Sequence, residues 1–498
     1  MHVRVAFASP PAPFTRYAAG FIRNHDGTLI DCFGPRQAEV TASWPQISAQ
    51  LMQAPAPTGI HHVSQTAIKV DPKIPECQSG RDYIVYETVR PEADHILGHV
   101  LHAPAKQTVE GDAFDRLLAA TILSSLQLSA ETHQKSIAED AVADFIADLF
   151  DRTLRHEAKH DKWRARGREG FRAQVAKFTS SGRPVEFCLP AFPCKSSNKE
   201  KVLSEHPDRA EHLALKGLHA FLQDIEAIYS PGARLWIISD GHVFSDCIGV
   251  DDDVVDSYSA SLQHMEQDIA NSTNGQGRIT FMSLPDMFSG TCSSLSRLCD
   301  DRHLRKLIGT RVTDEAEACR KILMAGFRQD DNDLRTQLDA GDTSTTSLYR
   351  GFSRFMLEDL TMNKYTSHLS RSQLRKMASK VAYEMIERNQ AYSNLVQTLF
   401  PHHVRLSIHA HDNAGPKYGI QMLGPGVRTT HVLPPDGKGV DSCDKLHVPT
   451  PWHNCVIEVD EYSHLFLVKA SVARLAMESG VVTGKVVDSG NGLYMKMN

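Results

Sequence analysis

The chain is predicted to be an α/β protein, with a Rossmann-like βαβ core, a helical region and a C-terminal mixed or antiparallel sheet. Three observations lead there. The apolar run Ala233 to Ile238 stops abruptly at Ser239-Asp240-Gly241-His242-Val243-Phe244-Ser245-Asp246, as a buried strand does when it delivers reactive groups to its carboxyl end. A short strand-like run, Val185 to Leu189, precedes it, and a long amphipathic segment joins the two. After Pro401 the apolar period changes to two, the spacing of half-buried strands.

Residues 1 to about 105 are Pro-punctuated, with short β-like runs such as Tyr83-Ile84-Val85-Tyr86 and no motif that speaks of chemistry. Residues 1–110 are taken as an extension of unknown role and 111–498 as the catalytic domain. From Asp112 to about Ala176 the pattern is helical, through Phe114, Leu117, Leu118, Ile122 and Leu126, then Ile137, Val142, Phe145, Ile146 and Phe150. In the βαβ unit, Ala210, Leu213, Ala214, Leu218, Phe221, Leu222, Ile225 and Ile228 trace one helix face, ended by Pro231-Gly232. Strand, helix and strand at this spacing make a βαβ unit, so the two polar loops open at the same sheet end. The region 260–345 reads as helical, with Asn271 to Gly277 and Gly341 to Thr346 as surface loops. Ser370 to Leu399 reads as a strong helix, with Leu374, Met377, Val381, Met385 and Leu395 inward and Pro401 as terminator. Val404 to His409, Tyr418 to Leu423, Cys455 to Val459 and Leu465 to Val468 then predict a half-buried antiparallel sheet.

Composition excludes some function classes. Lys and Arg total 54 against 60 Asp and Glu, so no basic field announces nucleic acid or an acidic membrane surface. Any anion must be held locally. Cys32, Cys77, Cys188, Cys194, Cys247, Cys292, Cys299, Cys319, Cys443 and Cys455 form no Cys-x-x-Cys pair, which points to free thiols rather than a zinc knuckle or disulfide framework. The N-terminal residues lack an apolar signal region, and no run of 18 apolar residues occurs. A cytoplasmic location is expected.

Two metal-like motifs are better read as structural. His156-Glu157-Ala158-Lys159-His160 matches H-E-x-x-H, but its heavily charged flanks point to a solvated helix. His206-Pro207-Asp208 sits where a helix begins, so capping is favoured over iron ligation. The loop carrying Lys195, Ser196, Ser197, Asn198, Lys199 and Lys201 has the makings of an anion cradle without the spacing of a nucleotide-phosphate loop. Ser239 lacks the G-x-S-x-G elbow of a hydrolase and equally suits capping. Asp240 and Asp246 have the chemistry to hold an ammonium group or move protons, or to serve turn and cap. Arg350 and Arg354 share a helix face and suit phosphate or carboxylate recognition, or a structural salt bridge. Alternation puts Arg405, Ser407 and His409 on one strand face. Trp452 beside His453 offers an aromatic platform or a core residue.

Taken together, Pro190 to Asn198, Ser239 to Asp246, Arg350-Gly351-Phe352-Ser353-Arg354-Phe355, Arg405 to His409, Lys417-Tyr418-Gly419-Ile420 and Thr450-Pro451-Trp452-His453 resemble the pyoverdine/dityrosine biosynthesis family, the isocyanide (isonitrile) synthases. The resemblance spans about residues 140 to 460 and, in its Cys194 and His242 wording, is similar to the fungal branch. It implies secondary metabolism in which the α-amine of tyrosine, tryptophan or valine condenses with the C2 carbonyl of ribulose 5-phosphate, that carbon ending as the isonitrile carbon. Bacterial members usually pass the product to an iron- and 2-oxoglutarate-dependent oxygenase, whereas the yeast dityrosine relative is linked to N-formyltyrosine. It implies no metal or organic cofactor. Two anionic substrates need separate cationic holders, for which Ser196, Asn198, Lys201, Ser239, Arg350, Arg354, Arg405, His409, Lys417, Trp452 and His453 are the candidate binding residues. Lys195, Asp240, His242 and Asp246 are the candidate catalytic residues, with Lys195 and Asp240 the essential pair and Asp246 positioning the amine. A non-catalytic sugar-phosphate or amino-acid binding protein is the remaining alternative.

Overall fold

The computed structural model describes residues 83–89, 96–102, 141–288, 304–325, 334–400, 402–409, 411–430, 433 and 450–498. The expected helical stripe from Phe114 to Ile137 lies outside them. Tyr83–Val89 (β1) and Ile96–His102 (β2) form an antiparallel pair.

The βαβ unit is present as read. Val185–Pro190 (β3) leads through Arg209–Ile228 (α3) to Ala233–Ile238 (β4), and the two strands are parallel, Cys188 lying beside Trp236. Helices Ala141–Thr153 (α1) and Arg168–Thr179 (α2) precede the unit. Gly241–Ile248 (α4), Asp252–Thr273 (α5), Ile279–Met282 (β5) and Leu284–Met287 (α6) follow it. The chain then runs through Asp314–Ala325 (α7), Leu334–Asp339 (α8), Thr343–Thr361 (α9) and Arg371–Leu399 (α10) to Val404–Ser407 (β6) and Lys417–Gly419 (β7). The sheet order is β5-β4-β3-β6-β7 and all four pairings are parallel. From β3 the chain winds outward to β5, then returns to add β6 on the other side of β3. The topological switch point, where open α/β sheets bind ligands, therefore lies between β3 and β6.

Pleat alternation divides the sheet between two apolar layers. Phe187, Leu189, Leu235, Ile237, Val404, Leu406 and Tyr418 pack on α1, α2, α3 and α5. Here Phe150 stacks on Phe171 at 4.5 Å between centroids, and Tyr418 meets Phe171 edge-on at 5.2 Å; such pairs contribute about 0.5–1.5 kcal/mol beyond area burial. Cys188, Trp236 and Ile238 face α4, α7, α9 and α10. Of the stripe read on α1, Ile146 and Phe150 are buried, but Phe145, one residue round the helix, is 61% exposed.

Capping sets the helix starts. Asp208 caps α3 with Glu211 completing a capping box, as the His206-Pro207-Asp208 reading expected. Ser370 and Gln373 do the same for α10. Asp342 accepts from the Thr345 amide, which draws Thr343 to Thr346 into α9 where a surface loop was expected.

The C-terminal sheet is mixed. Val427–Thr429 (β8), Cys455–Val459 (β9), Leu465–Val468 (β10), Gly484–Asp488 (β11) and Leu493–Met497 (β12), with Ala470–Glu478 (α11), form the order β11-β12-β9-β10-β8. Cys455–Val459 and Leu465–Val468 pair antiparallel, as read. The expectation that Val404 to His409 and Tyr418 belong with them is corrected, since β6 and β7 extend the parallel sheet. Their alternation is real, but the polar side of β6 and β7 meets α10 at Ser393. No helix among the described residues is long and apolar enough to cross a membrane.

Candidate functional site

Three segments carry the candidate residues: the loops after β3 and β4 lie at the carboxyl edge of the parallel sheet, and the third lies on β6 and β7, where Arg405 stands level with Cys188 of β3. The first is the loop after β3. Phe192 sits at φ 58, in the left-handed region that side chains rarely adopt, and its carbonyl accepts from Ser239 Oγ at 3.1 Å. A Cβ on Gly241 would lie 2.2 Å from Pro193 O, so the glycine is what lets this loop press on the start of α4. Ser196 Oγ donates to Asp359 Oδ1 at 2.9 Å, and Asn198 bonds the Glu358 carbonyl and the Glu200 amide. Lys201 lies 2.8 Å from Asp359 and 4.0 Å over the Phe355 ring.

Lys195 is closed off from solvent. Its ammonium is 2.8 Å from both Asp208 and Glu211 and donates to Pro451 O at 3.0 Å, and all three side chains are fully buried. These contacts engage all the donors of an ammonium group. Tyr258 donates to the other Glu211 oxygen at 3.2 Å. Burial, only partly offset by Lys195, pushes the Glu211 carboxyl up to about 7. The expected anion-cradling lysine thus ties the loop to the start of α3.

The second segment follows β4. Asp240 stands at the N-cap of α4 without capping it, and its Oδ1 has no hydrogen-bond partner. Its side chain is half-buried, and desolvation, against one hydrogen bond from its own backbone, raises its pKa to about 7. His242 is buried, with Nε2 3.0 Å from Asp256. Asp246 holds Arg388 with both oxygens, at 2.5 and 3.1 Å, inside the protein. That engagement clamps α4 to α10 and takes up both oxygens of the Asp246 carboxylate. Removing one partner of such a buried pair costs about 3–5 kcal/mol. Asp246→Ala is accordingly expected to lower the urea midpoint by that much stability, whereas an unchanged midpoint would remove the clamp.

The third segment is cationic. Arg405 on β6 and Lys417 on β7 are direct cross-strand neighbours. Both reach Ser393 of α10, Arg405 through Ser393 O at 3.1 Å and Oγ at 3.3 Å, Lys417 through Oγ at 2.8 Å. Burial and the Arg405 charge pull Lys417 down to about 8. His409 is solvent-accessible yet set deep among protein atoms, as on a crevice wall, and burial and Lys417 lower its pKa. His411 bonds Ser407 Oγ at 2.9 Å and falls to about 4 through burial, His409 and Lys417. Tyr392 donates to Ile238 O at 2.9 Å. Its burial, with Asp240 beside it and Arg405 opposing, drives its hydroxyl far above the ordinary range. Tyr392 is thus the link between the Asp240 and Arg405 sides. Neither it nor Ser393 was singled out in the sequence, where α10 reads as an apolar stripe.

Arg350 and Arg354 do share a helix, α9, but both are exposed. Trp452 is 1% exposed, packed 5.2 Å from the Phe192 ring, so it builds the core under the loop. His453 bonds Thr450 Oγ1 at 2.9 Å and meets Phe355 edge-on. The H-E-x-x-H segment is not the charged helix expected. His156 donates its amide to Gly419 O at the sheet edge, and His156 to His160 are extended and turn backbone, so the two histidines share no helix face. Among the described residues, no group of three His, Cys, Asp or Glu side chains is placed to hold a metal. Cys188, Cys194, Cys247 and Cys455 are free and buried, and Cys319 is buried as well.

The profile of the family described as pyoverdine/dityrosine biosynthesis protein matches residues 175–480. The chain belongs to this family. All three segments fall within the match. The chain is 41% identical over 382 residues to the spore wall maturation protein DIT1 of Saccharomyces cerevisiae, covering 76% of this chain and 71% of that protein. It is 33% identical over 250 residues to an L-tyrosine isonitrile synthase of Xenorhabdus nematophila, covering 50% of this chain and 67% of that one. The crystal structure of PvcA from Pseudomonas aeruginosa superposes with a TM-score of 0.55 at 26% identity, covering 72% of this chain and 99% of PvcA. Family members at this similarity include isonitrile synthases for tyrosine and for tryptophan.

Proposed function

We propose that the protein is an isocyanide synthase that joins the α-amine of an amino acid, of the tyrosine, tryptophan or valine type, to the C2 carbonyl of ribulose 5-phosphate and leaves that carbon as an isonitrile. The observation that supports this best is the Asp240 carboxyl, its Oδ1 without a partner and its pKa raised to about 7, with Tyr392 between it and Arg405, the strand neighbour of Lys417. An α-amine is mostly protonated at neutral pH and attacks a ketone only as the free base. A carboxylate of raised pKa is a fitting acceptor for that proton and, once protonated, a fitting donor when the carbinolamine loses water. The cationic wall suits the anionic groups of both substrates. A tailoring oxygenase is the downstream partner this product chemistry calls for.

The N-formyl amino acid is the second reading. It is favoured by the greater identity to the yeast spore wall protein, 41%, than to the tyrosine isonitrile synthase, 33%. It uses the same site and adds one water.

The test is incubation of the purified chain with ribulose 5-phosphate and the twenty amino acids, read by mass spectrometry. The expected product has the mass of one amino acid plus carbon less two hydrogens. A mass higher by one water selects the N-formyl reading, and no product with either would sink the catalytic proposal.

A further inference from the structure

We propose that Arg405, Lys417 and Ser393, where β6, β7 and α10 meet beside the switch point, form a dedicated phosphate-binding subsite. Its identification with the phosphate of a pentulose phosphate rests on the proposed function; the anion site itself does not.

Two like charges on directly opposed residues of neighbouring strands destabilise a sheet, so their retention needs an electrostatic reason. Arg405 and Lys417 are such a pair, both half-buried. Their head groups converge on one oxygen, Ser393 Oγ, and that oxygen is neutral. It is the only hydrogen-bond partner of the Lys417 ammonium among the described residues, and no carboxylate there pairs with Lys417. A lysine taken out of water is ordinarily ion-paired, as the fully buried Lys201 and Lys195 are here. The two cations also mark the neighbouring imidazoles, which burial and these charges hold in the neutral form. Lys417 and Arg405 both depress His411, and Lys417 depresses His409, while the nearby Asp412 is taken by Lys162 at 2.7 Å.

The geometry favours phosphate over carboxylate. A guanidinium fork, an ammonium and a hydroxyl donor offer two positive charges and several donors, which match a dianion with three terminal oxygens. A carboxylate needs one fork. Gly419, opposite Ser407, keeps the β7 side of the wall free of a side chain. The half-buried setting of all three side chains keeps the site open to solvent yet less screened than the surface.

The experiment is calorimetric titration of the full chain with inorganic phosphate and, separately, with acetate. Saturable phosphate binding is expected, competed by ribulose 5-phosphate, with acetate much weaker. Lys417→Met should weaken phosphate binding by about tenfold or more, the usual size for a lost charged hydrogen bond. Ser393→Asp places an internal anion between the two cations and should raise the melting temperature while abolishing phosphate binding, which guards against simple misfolding. Lys376→Met, on the exposed side of α10, should change nothing. In turnover assays Lys417→Met should raise KM for the sugar phosphate more than it lowers kcat. Phosphate binding at wild-type affinity in both Lys417→Met and Ser393→Asp would overturn the subsite, as would acetate binding as tightly as phosphate. Phosphate binding in a chain that makes no product leaves the subsite standing while the synthase reading fails.

Discussion

Asp240→Asn is expected to lower turnover by about 10²–10⁴-fold, the usual contribution of a positioned general base, and to make the protein more stable. Both effects come from one cause. The Asp240 carboxyl has no partner for Oδ1 and is desolvated at the head of α4, which raises its pKa from 3.8 to about 7. A carboxyl whose folded pKa lies above its unfolded value binds a proton in the native state that the unfolded chain has released. Stability therefore falls as pH rises from about 4 to about 7, and the full cost persists above that window. Asparagine removes that charge. The variant should melt a few degrees higher at about pH 8, consistent with a gain on the order of 1 kcal/mol, and show no gain below about pH 4. Activity should have the opposite dependence, because the base works only when ionised. In the wild type kcat/KM should climb with pH to a plateau above about 7, and the residual rate of Asp240→Asn should lack that limb. Near-normal turnover in the variant, or an unmoved wild-type limb below pH 5, would take Asp240 out of the proton-transfer role. A catalytic group held at the expense of stability is the usual trade at an active site.

The legible parts of this fold are those where local pattern and tertiary environment agree. The β3-α3-β4 unit reads correctly because its strands are apolar throughout, its helix carries an unbroken stripe, and Pro231-Gly232 breaks the chain between them. Strands β6 and β7 read wrongly for a physical reason. Alternation reports that one face is polar, but not whether that face meets bulk water or a crevice, and here Arg405 and Lys417 point at Ser393. The same ambiguity hid Ser393 and Tyr392. A helix as buried as α10 shows its apolar stripe, while the few polar groups that line a site resemble interruptions of it. Lys195 illustrates the converse. Its loop position is right and its chemistry was read as available, but Asp208 and Glu211, which claim it, look in sequence like nothing beyond a capping box. The signal present was that a capping box with two carboxylates, once buried, needs a cation.

That reasoning leads to the other large effect. Lys195→Met is expected to cost about 3–5 kcal/mol, because Asp208 and Glu211 would be left buried together without their counter-ion. The loss should deepen as pH rises above about 7, where Glu211 ionises with the lysine in place but would hold its proton longer without it. Turnover should collapse too, which alone would not separate a catalytic lysine from one that holds the Pro190 to Asn198 loop. The double variant Lys195→Met/Glu211→Gln makes the separation. The single oxygen of glutamine at the third helical position still reaches the Asp208 amide, as a capping box allows, and its NH2 then donates to the Tyr258 hydroxyl, which turns from donor to acceptor. Asp208 then remains as the single charge, at a helix N-terminus that favours it. Most of the lost stability should return. Because Asp208, Glu211 and Pro451 O occupy the lysine's donors in the folded protein, activity should return with it to within about tenfold of wild type, a loss of about 1.4 kcal/mol in transition-state stabilisation. A double variant that folds to wild-type stability, measured by urea unfolding, yet makes no product would instead show that the Lys195 ammonium leaves its carboxylates and acts on substrate.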